Sequence, residues 1–196
     1  MRVIAGTYRS RLLTAPSGTG TRPTSDRLRE TLFNILSPRL PGCRFADLYA
    51  GTGAVGIEAL SRSASHVFFA ERAAPALAAL RDNLASLKIA SGFTVEERGT
   101  GALLERLAKR AAEAARPAEL LDLIYLDPPW DAEAEYSATL QLLGSTRGVK
   151  ILSPTALVIA EHGSKSPLAA RYGSLEQTRT LKQGDASLTF YAVPEP

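Results

Sequence analysis

Four consecutive residues, Asp127-Pro128-Pro129-Trp130, combine hydrogen-bond acceptors with a flat aromatic surface. The prolines lack backbone N–H groups, so the loop is stiff and its carbonyls remain as acceptors beside the Asp127 carboxylate. Trp130, the only tryptophan, can stack on a planar ring. Asp127 and the Pro128 carbonyl can hold both hydrogens of an exocyclic base amine and direct its lone pair toward an electrophile. The alternative is a rigid strand exit with Trp130 in the core.

A glycine-rich turn, Gly51 to Gly56, follows a predicted strand and precedes a predicted helix with the spacing G-x-G-x-x-G. Glycine permits the tight turn and lets a ligand approach the backbone. Glu71 ends the next predicted strand, where its carboxylate can accept hydrogen bonds from ribose hydroxyls. The turn therefore predicts a nucleotide-type ligand. A tight packing turn beside a surface glutamate is the alternative.

Asp47 bears on which nucleotide is bound, because it precedes the glycine turn. An acid at this place would repel the pyrophosphate of a nicotinamide cofactor, but it suits a ligand that carries an ammonium and a sulfonium cation. This favours S-adenosylmethionine. The alternative for Asp47 is an ordinary strand-end residue that caps the turn.

Strands and helices alternate after residue 45, which is the order expected of a parallel, doubly wound sheet. The predicted strands are Phe45–Tyr49, His66–Ala70, Phe93–Glu96, Leu123–Leu126 and Ala156–Ala160. Helices are predicted near 54–62, 75–87, 103–111 and 132–143. The tail, Leu175–Leu181 and Ser187–Val193, is predicted to form an antiparallel hairpin. Because strand ends meet at one crevice in such a sheet, the glycine turn and Asp127 are expected to face the same crevice.

The first 44 residues carry an excess of positive charge. Eight arginines oppose Asp26 and Glu30, which gives +6 and leaves −3 on the rest of a chain whose total is +3. This asymmetry favours a nucleic-acid contact over a merely solvated arm. We predict a basic N-terminal extension over 1–44, with one helix capped by Thr24 or Ser25, and one compact catalytic domain over 45–196. A short strand at Arg2–Ala5 is also predicted.

Composition excludes several classes of protein. The single cysteine, Cys43, cannot form an internal disulfide, and no Cys/His cluster suggests a metal site. No apolar run is long enough to span a bilayer, and the first residues are too polar for a signal peptide. A cytoplasmic protein without metal or membrane is therefore expected. We also predict a monomer, although the residues themselves leave the oligomeric state open.

The Asp127 to Trp130 loop is similar to the [Asn/Asp/Ser]-Pro-Pro-[aromatic] signature of amino-group nucleic-acid methyltransferases. Nearly end to end, the chain resembles the RsmD family of bacterial 16S rRNA guanine-N2 methyltransferases. The matching stretches are 22–34, 47–62 and 126–130, with weaker matches at Glu161-His162 and 184–191. The stretch from Arg22 to Asp26 is the most discriminating, because generic methyltransferases lack it.

The resemblance implies a Rossmann-like class I S-adenosylmethionine-dependent methyltransferase fold. Its seven-stranded, mostly parallel sheet would carry an antiparallel C-terminal hairpin. The implied reaction is methyl transfer to N2 of one guanine, family position 966 of 16S rRNA, within an assembled or partly assembled small subunit. The flipped guanine would be held by Asp127, Pro128 and Trp130. The cofactor would be held by Asp47, Tyr49, Gly51, Thr52, Gly53, Glu71, Arg72, Thr100, Arg22 and Thr24. The excess positive charge of the first 44 residues adds the expectation that the RNA is contacted by Arg9, Arg11, Arg22 and Arg27.

Two positions depart from the family pattern. After the third strand, where the family usually has Asp or Asn near the adenine of the cofactor, this chain has the stretch from Glu97 to Gly101. The Thr100 hydroxyl or backbone groups are the candidate substitutes, which leaves the recognition of adenine open. Ser63 stands at a helix end where glycine is usual. This second departure concerns the helix more than the chemistry.

Three rival functions remain open at this point. A DNA adenine-N6 methyltransferase would share the Asp127 loop, but the chain has little room for a DNA-recognition domain. A nicotinamide oxidoreductase would explain the glycine turn and leave the Asp127 loop unexplained. An RNA-binding assembly factor without catalytic activity would explain the altered adenine site, but the intact acceptors at Asp127 argue against it.

Overall fold

The structure is a computed structural model that describes residues 1–15, 26–113 and 120–194. The chain forms two compact units, Met1–Glu97 and Arg98–Pro196. The predicted boundary at residue 44 falls inside the first unit, where the N-terminal residues bond to Glu58 and Ser61. The division into an extension and a catalytic domain stays a prediction.

The N-terminal residues form a tight turn that returns on itself. The Val3 amide donates to the Arg11 carbonyl at 3.0 Å, and the Ser10 amide donates to the Val3 carbonyl at 2.8 Å. Arg2 and Leu12 form an isolated antiparallel bridge. The short strand predicted at Arg2–Ala5 is thus reduced to one bridge, because Gly6 and Ser10 adopt positive φ angles that end the extended conformation.

Helix α1 spans Asp26–Leu36 and a 3-10 turn, Ser37–Arg39, follows it. The predicted capping residues Thr24 and Ser25 lie outside the described residues. Its buried apolar residues recur at helical spacing, and Pro38 falls in the terminating turn. The buried apolar residues of α1 are Leu28, Leu32, Phe33 and Leu36.

Three parallel strands and two helices complete the first unit. Strand β1 (Arg44–Leu48), helix α2 (Ala54–Ser61), strand β2 (His66–Ala70), helix α3 (Ala74–Ser86) and strand β3 (Phe93–Glu96) follow in chain order. The strand order is β3-β2-β1. Leu48 lies opposite Ala70, and Ala70 lies opposite Glu96, so the three strands end level with one another. Strands β1 and β2 are buried over four of their five residues, as parallel strands covered on both faces require.

The second unit combines one parallel strand pair with an antiparallel extension. Its elements are helix α4 (Thr100–Glu113), strand β4 (Leu121–Leu126), helix α5 (Glu133–Gly144), strand β5 (Leu152–Gly163), strand β6 (Arg171–Tyr172), strand β7 (Leu175–Gln183) and strand β8 (Ala186–Ala192). The strand order is β4-β5-β8-β7-β6. The pair β4–β5 is parallel, and the remaining neighbours are antiparallel.

The predicted α/β architecture with a C-terminal antiparallel hairpin is confirmed. Eight strands are found in the described residues where seven were expected, because β6 adds a two-residue pairing with the start of β7. So short a strand leaves no alternating pattern in the sequence. Strand β5 is also longer than the predicted Ala156–Ala160, since its polar end beyond Ala160 pairs with β8. No helix among the described residues is long and apolar enough to cross a membrane.

Candidate functional site

The turn after β1 is built from left-handed backbone conformations. Tyr49, Gly51 and Gly53 have φ angles of 66°, 55° and 78°. The Ala50 amide donates to the Ala70 carbonyl at 2.9 Å, which fixes the turn to the end of β2. A tyrosine with positive φ is strained, and strain of this kind is found preferentially at ligand sites.

The three glycines of the turn differ in what surrounds them. A Cβ on Gly51 would meet no heavy atom within 4 Å, whereas one on Gly53 would lie 2.3 Å from a Leu80 methyl. On Gly56 it would lie 2.2 Å from the Phe69 ring. Gly53 and Gly56 are therefore required by packing. Only Gly51 borders open space, where a ligand can approach the backbone.

Asp47 lies beneath the turn and is only 2% exposed. Its Oδ2 accepts a hydrogen bond from the Gly56 amide at 2.8 Å, so it caps the first turn of α2. The pKa of Asp47 is raised to about 8, mainly by burial; the hydrogen bond from Gly56 opposes this rise, and the charge of Glu71 adds to it to a smaller extent. The structure thus gives Asp47 the capping contact considered as its alternative role. Its contact with a cofactor stays a prediction.

Glu71 organises the turn from the end of β2. Its Oε2 accepts a hydrogen bond from the Gly51 amide at 2.8 Å. Its Oε1 accepts from the amides of Arg72 at 2.7 Å and Ala73 at 2.8 Å, and Ala73 precedes α3. A carboxylate offers about four lone pairs, so a ribose hydroxyl can still bond to Oε2.

Asn83 is a buried contact of this site that the sequence reasoning missed. It is 1% exposed, and its Nδ2 donates to the carbonyls of Thr52 and Thr14, both at 3.0 Å. Its Oδ1 accepts from the Thr14 amide at 2.7 Å. The available signal was a polar residue on the apolar stripe of α3, between Leu80 and Leu87.

The N-terminal residues are docked on α2 by a buried carboxylate. Glu58 is completely buried and accepts hydrogen bonds from the amides of Ile4 at 2.7 Å and Ala5 at 3.0 Å. Arg62 balances its charge through a 2.7 Å contact. A Cβ on Gly6 would lie 1.8 Å from the Ser61 carbonyl oxygen, so only glycine permits this approach. The first residues of the basic extension are therefore held in place on α2.

The arginines of this segment have different surroundings. Arg9, Arg11 and Arg27 are exposed, and Arg11 donates to the Ser86 carbonyl at 3.3 Å. Arg29, which was counted with the basic surface, is instead completely buried and bonds to the Arg2 carbonyl and to Asp26. Its charge cannot serve an external partner. The candidate residues Arg22 and Thr24 lie outside the described residues.

The Asp127 loop follows β4 directly in the second unit. Asp127 and Trp130 are half-buried, Pro128 is buried, and Pro129 is exposed. The Trp130 ring lies against Gly163 at the end of β5, where a Cβ on Gly163 would be 3.3 Å from Cε3. Trp130 is therefore packed on one side without being fully buried in the core.

The tyrosine Tyr136 of α5 lies behind the loop. Its hydroxyl is 3.1 Å from the Pro128 carbonyl oxygen and 2.7 Å from the Glu161 carbonyl oxygen. The Tyr125 hydroxyl donates to the Glu161 carboxylate. The sequence reasoning did not single out either tyrosine, because a tyrosine on a buried helix face or in a buried strand resembles ordinary core.

The remaining residues that the sequence raised differ in their burial and contacts. Thr100 opens α4 and is 7% exposed, so its hydroxyl lies at a helix N-terminus, and adenine binding there stays a prediction. Thr52 is half-exposed, and Arg72 is exposed just beyond Glu71. Cys43 is buried. Burial lowers the pKa of His162, whose Nε2 lies 2.8 Å from the Thr189 hydroxyl. Among the described residues, no cluster of His, Cys, Asp or Glu could hold a metal ion.

The strand order and the glycine turn define a Rossmann-like α/β protein of the class I methyltransferase type. The fold is shared with a solved Escherichia coli protein titled "Putative methyltransferase yhhF", at 31% identity and a TM-score of 0.78. The similarity covers 97% of this chain and 96% of that one.

Residues 1–192 match the family model described as "Conserved hypothetical protein 95". The chain belongs to this family, the RsmD family. A Bacillus subtilis relative, named "Putative rRNA methyltransferase YlbH", is 34% identical over 97% of this chain and 98% of its own length. "Ribosomal RNA small subunit methyltransferase D" of Escherichia coli is 36% identical over 130 residues, which are 66% of this chain and 60% of that protein.

Proposed function

We propose that this chain transfers a methyl group from S-adenosylmethionine to the exocyclic N2 of a guanine in small-subunit rRNA. The observation that carries the proposal is the Asp127 to Trp130 loop, in which two acceptors and a half-exposed indole directly follow a buried strand. Family membership supports the substrate class, because the named relatives are rRNA methyltransferases.

The glycine turn has the features that the cofactor requires. When bound, S-adenosylmethionine supplies an electrophilic methyl group on a sulfonium sulfur. Open space at Gly51 admits it to the backbone, and Glu71 keeps a lone pair for a ribose hydroxyl. Asp47 can ionise to offset the positive charge of the ligand.

The Asp127 loop would hold and activate the base. A guanine amine is a poor nucleophile because its lone pair is delocalised into the ring. If Asp127 and the Pro128 carbonyl accept its two hydrogens, the lone pair is localised toward the methyl group. Trp130 would stack on the flipped base, which excludes water and fixes the plane of the ring. The methylated ammonium is acidic enough to lose its proton to water.

Substitution of Asp127 tests this proposal. Asp127→Ala removes one acceptor, and we expect methyl transfer to fall at least a hundredfold while the Kd for S-adenosylmethionine stays within about twofold. The assay is tritiated methyl transfer to small subunits from a strain that lacks the enzyme, followed by mapping of the modified nucleotide. Asp131→Ala is the matched control, since Asp131 is an exposed carboxylate just beyond the loop.

Each other outcome has a definite meaning. Undiminished transfer by Asp127→Ala would refute the role of the loop. Methylation of adenine in the wild-type assay would identify another nucleic-acid amino methyltransferase. Tight binding of the subunit without any transfer would identify an assembly factor with this fold.

A further inference from the structure

The Asp127 loop is supported from behind by the end of β5. The Glu161 carbonyl, at 2.7 Å from the Tyr136 hydroxyl, and Gly163, which lies against the Trp130 ring, are two residues apart on that strand. Both ends of the loop are therefore held against the same strand, β5. A loop that must hold two amine hydrogens needs support of this kind, because a displacement of about 1 Å can cost a hundredfold in rate.

Tyr136 makes the contact that joins the loop to this strand. Its side chain is 2% exposed, so its hydroxyl has little access to water. The phenol carries a single hydrogen and faces two carbonyl oxygens, at 2.7 Å from Glu161 and 3.1 Å from Pro128. The hydrogen is therefore shared, with the larger share directed to Glu161.

This sharing has a consequence for the Pro128 carbonyl. A carbonyl oxygen has two lone pairs, and a bond from Tyr136 occupies one of them. The long contact from the Tyr136 hydroxyl orients the Pro128 oxygen and leaves its second lone pair able to accept a stronger hydrogen bond. The arrangement suits an acceptor that must be oriented before its donor arrives.

We propose that Tyr136 is a positioning residue, whose hydroxyl orients the Pro128 carbonyl against the end of β5 so that it can accept an amine hydrogen of the substrate base. This inference rests on the proposed function of the loop. It adds a residue on α5 that does not touch the substrate and acts through Pro128.

Tyr136→Phe tests the inference, because it keeps the ring and removes the hydroxyl. We expect kcat for methyl transfer to fall about tenfold or more, with the Kd for S-adenosylmethionine unchanged within twofold. Trp130 is the only tryptophan, so its emission reports the loop directly. Acrylamide quenching of that emission should increase when the loop is less firmly held.

Tyr191→Phe is the matched control. Tyr191 is buried in the same unit, and its hydroxyl donates to the Ala169 carbonyl at 2.9 Å, which is not part of the loop. Both variants lose a tyrosine-to-carbonyl bond, and we expect similar decreases in Tm. Only Tyr136→Phe should change kcat and the quenching of Trp130.

Two results would overturn the inference. The first is a Tyr136→Phe variant whose kcat and Trp130 quenching equal those of the wild-type protein. The second is a Tyr191→Phe variant whose kcat falls as much as that of Tyr136→Phe. The quenching comparison requires no methyl transfer. If the wild-type protein failed to methylate small subunits, the proposed function would fail, while quenching would still decide whether Tyr136 holds the loop.

Discussion

The surroundings of Asp47 strongly disfavour the ionised form of its carboxyl group. It is nearly inaccessible to water, and the charge of Glu71 further disfavours its ionised form. The pKa of Asp47 is raised from 3.8 to about 8, so the folded protein without cofactor binds this proton more tightly than the unfolded chain. A raised pKa contributes stability that is complete below pH 4 and is lost as pH rises toward 8.

We therefore expect Asp47→Asn to flatten the dependence of stability on pH. In the wild-type protein without cofactor, the contribution of Asp47 to the free energy of unfolding decreases between about pH 4 and pH 8. Asparagine keeps an oxygen for the Gly56 amide but cannot titrate. Urea unfolding at several pH values measures the difference between the two proteins. Parallel curves across this range would contradict the raised pKa.

At the scale of single residues, the sequence predicted which side chains could bind a ligand, but it did not predict their hydrogen bonds within the protein. Glu71 was expected to receive ribose hydroxyls, and its position at the end of β2 is as predicted. Its three bonds to backbone amides were not foreseen, because the backbone path between β2 and α3 sets them. Asn83 was missed for the same reason, since its partners are far from it in sequence.

At the scale of elements, the end of α2 shows why the position of Ser63 favours glycine. Ser63 has a φ of 73°, and its amide donates to the Leu60 carbonyl while the Ala64 amide donates to the Ala59 carbonyl. These bonds form a Schellman motif, in which the left-handed position favours glycine. The serine is thus a strained substitute at a helix end.

Ser63→Gly should stabilise the protein by about 0.5–1 kcal/mol. The left-handed conformation costs a residue with a Cβ about 1–2 kcal/mol, and the greater freedom of glycine in the unfolded chain offsets part of this gain. Urea unfolding at neutral pH measures the change. Ser63→Ala keeps the Cβ and should bring no gain, so equal stabilisation by both variants would refute the conformational explanation.

The element order was largely predictable, because buried parallel strands are apolar runs and the helices between them carry apolar stripes. The limits of the prediction lie where contacts between distant residues decide. The N-terminal turn is held by Glu58 and Ser61, and no local pattern in residues 1–15 indicates that docking. The length of β5 likewise depends on its pairing with β8.

At the scale of the whole molecule, the excess charge of the first 44 residues is partly internal. The guanidinium of Arg29 is completely buried, and that of Arg44 lies 5.2 Å from the centre of the Phe68 ring. Arg9 and Arg11 remain exposed on the docked N-terminal turn. A fixed basic surface binds phosphates with less loss of conformational entropy than a free arm.

Charge reversal at Arg9 and Arg11 should weaken binding to small subunits by about tenfold or more. Each lost phosphate contact should reduce the slope of log affinity against log salt concentration by about 0.7–0.9. Titrations at several salt concentrations measure both quantities. Reversal of Lys109 and Arg110, which are exposed on α4, is the matched control. Unchanged affinity and slope in the Arg9 and Arg11 variant would exclude this turn as a contact surface.

The amide of Asn83 has one more consequence. It bonds at once to the backbone of Thr14, which continues the basic segment, and to the Thr52 carbonyl within the glycine turn. If the backbone of either Thr14 or Thr52 moved away, the buried amide of Asn83 would lose a hydrogen-bond partner, at a cost of about 1–3 kcal/mol. Thermodynamic linkage makes such a cost reciprocal. An interaction that orders Thr52 therefore also favours the docked state of Thr14, and docking of Thr14 in turn favours the ordered glycine turn.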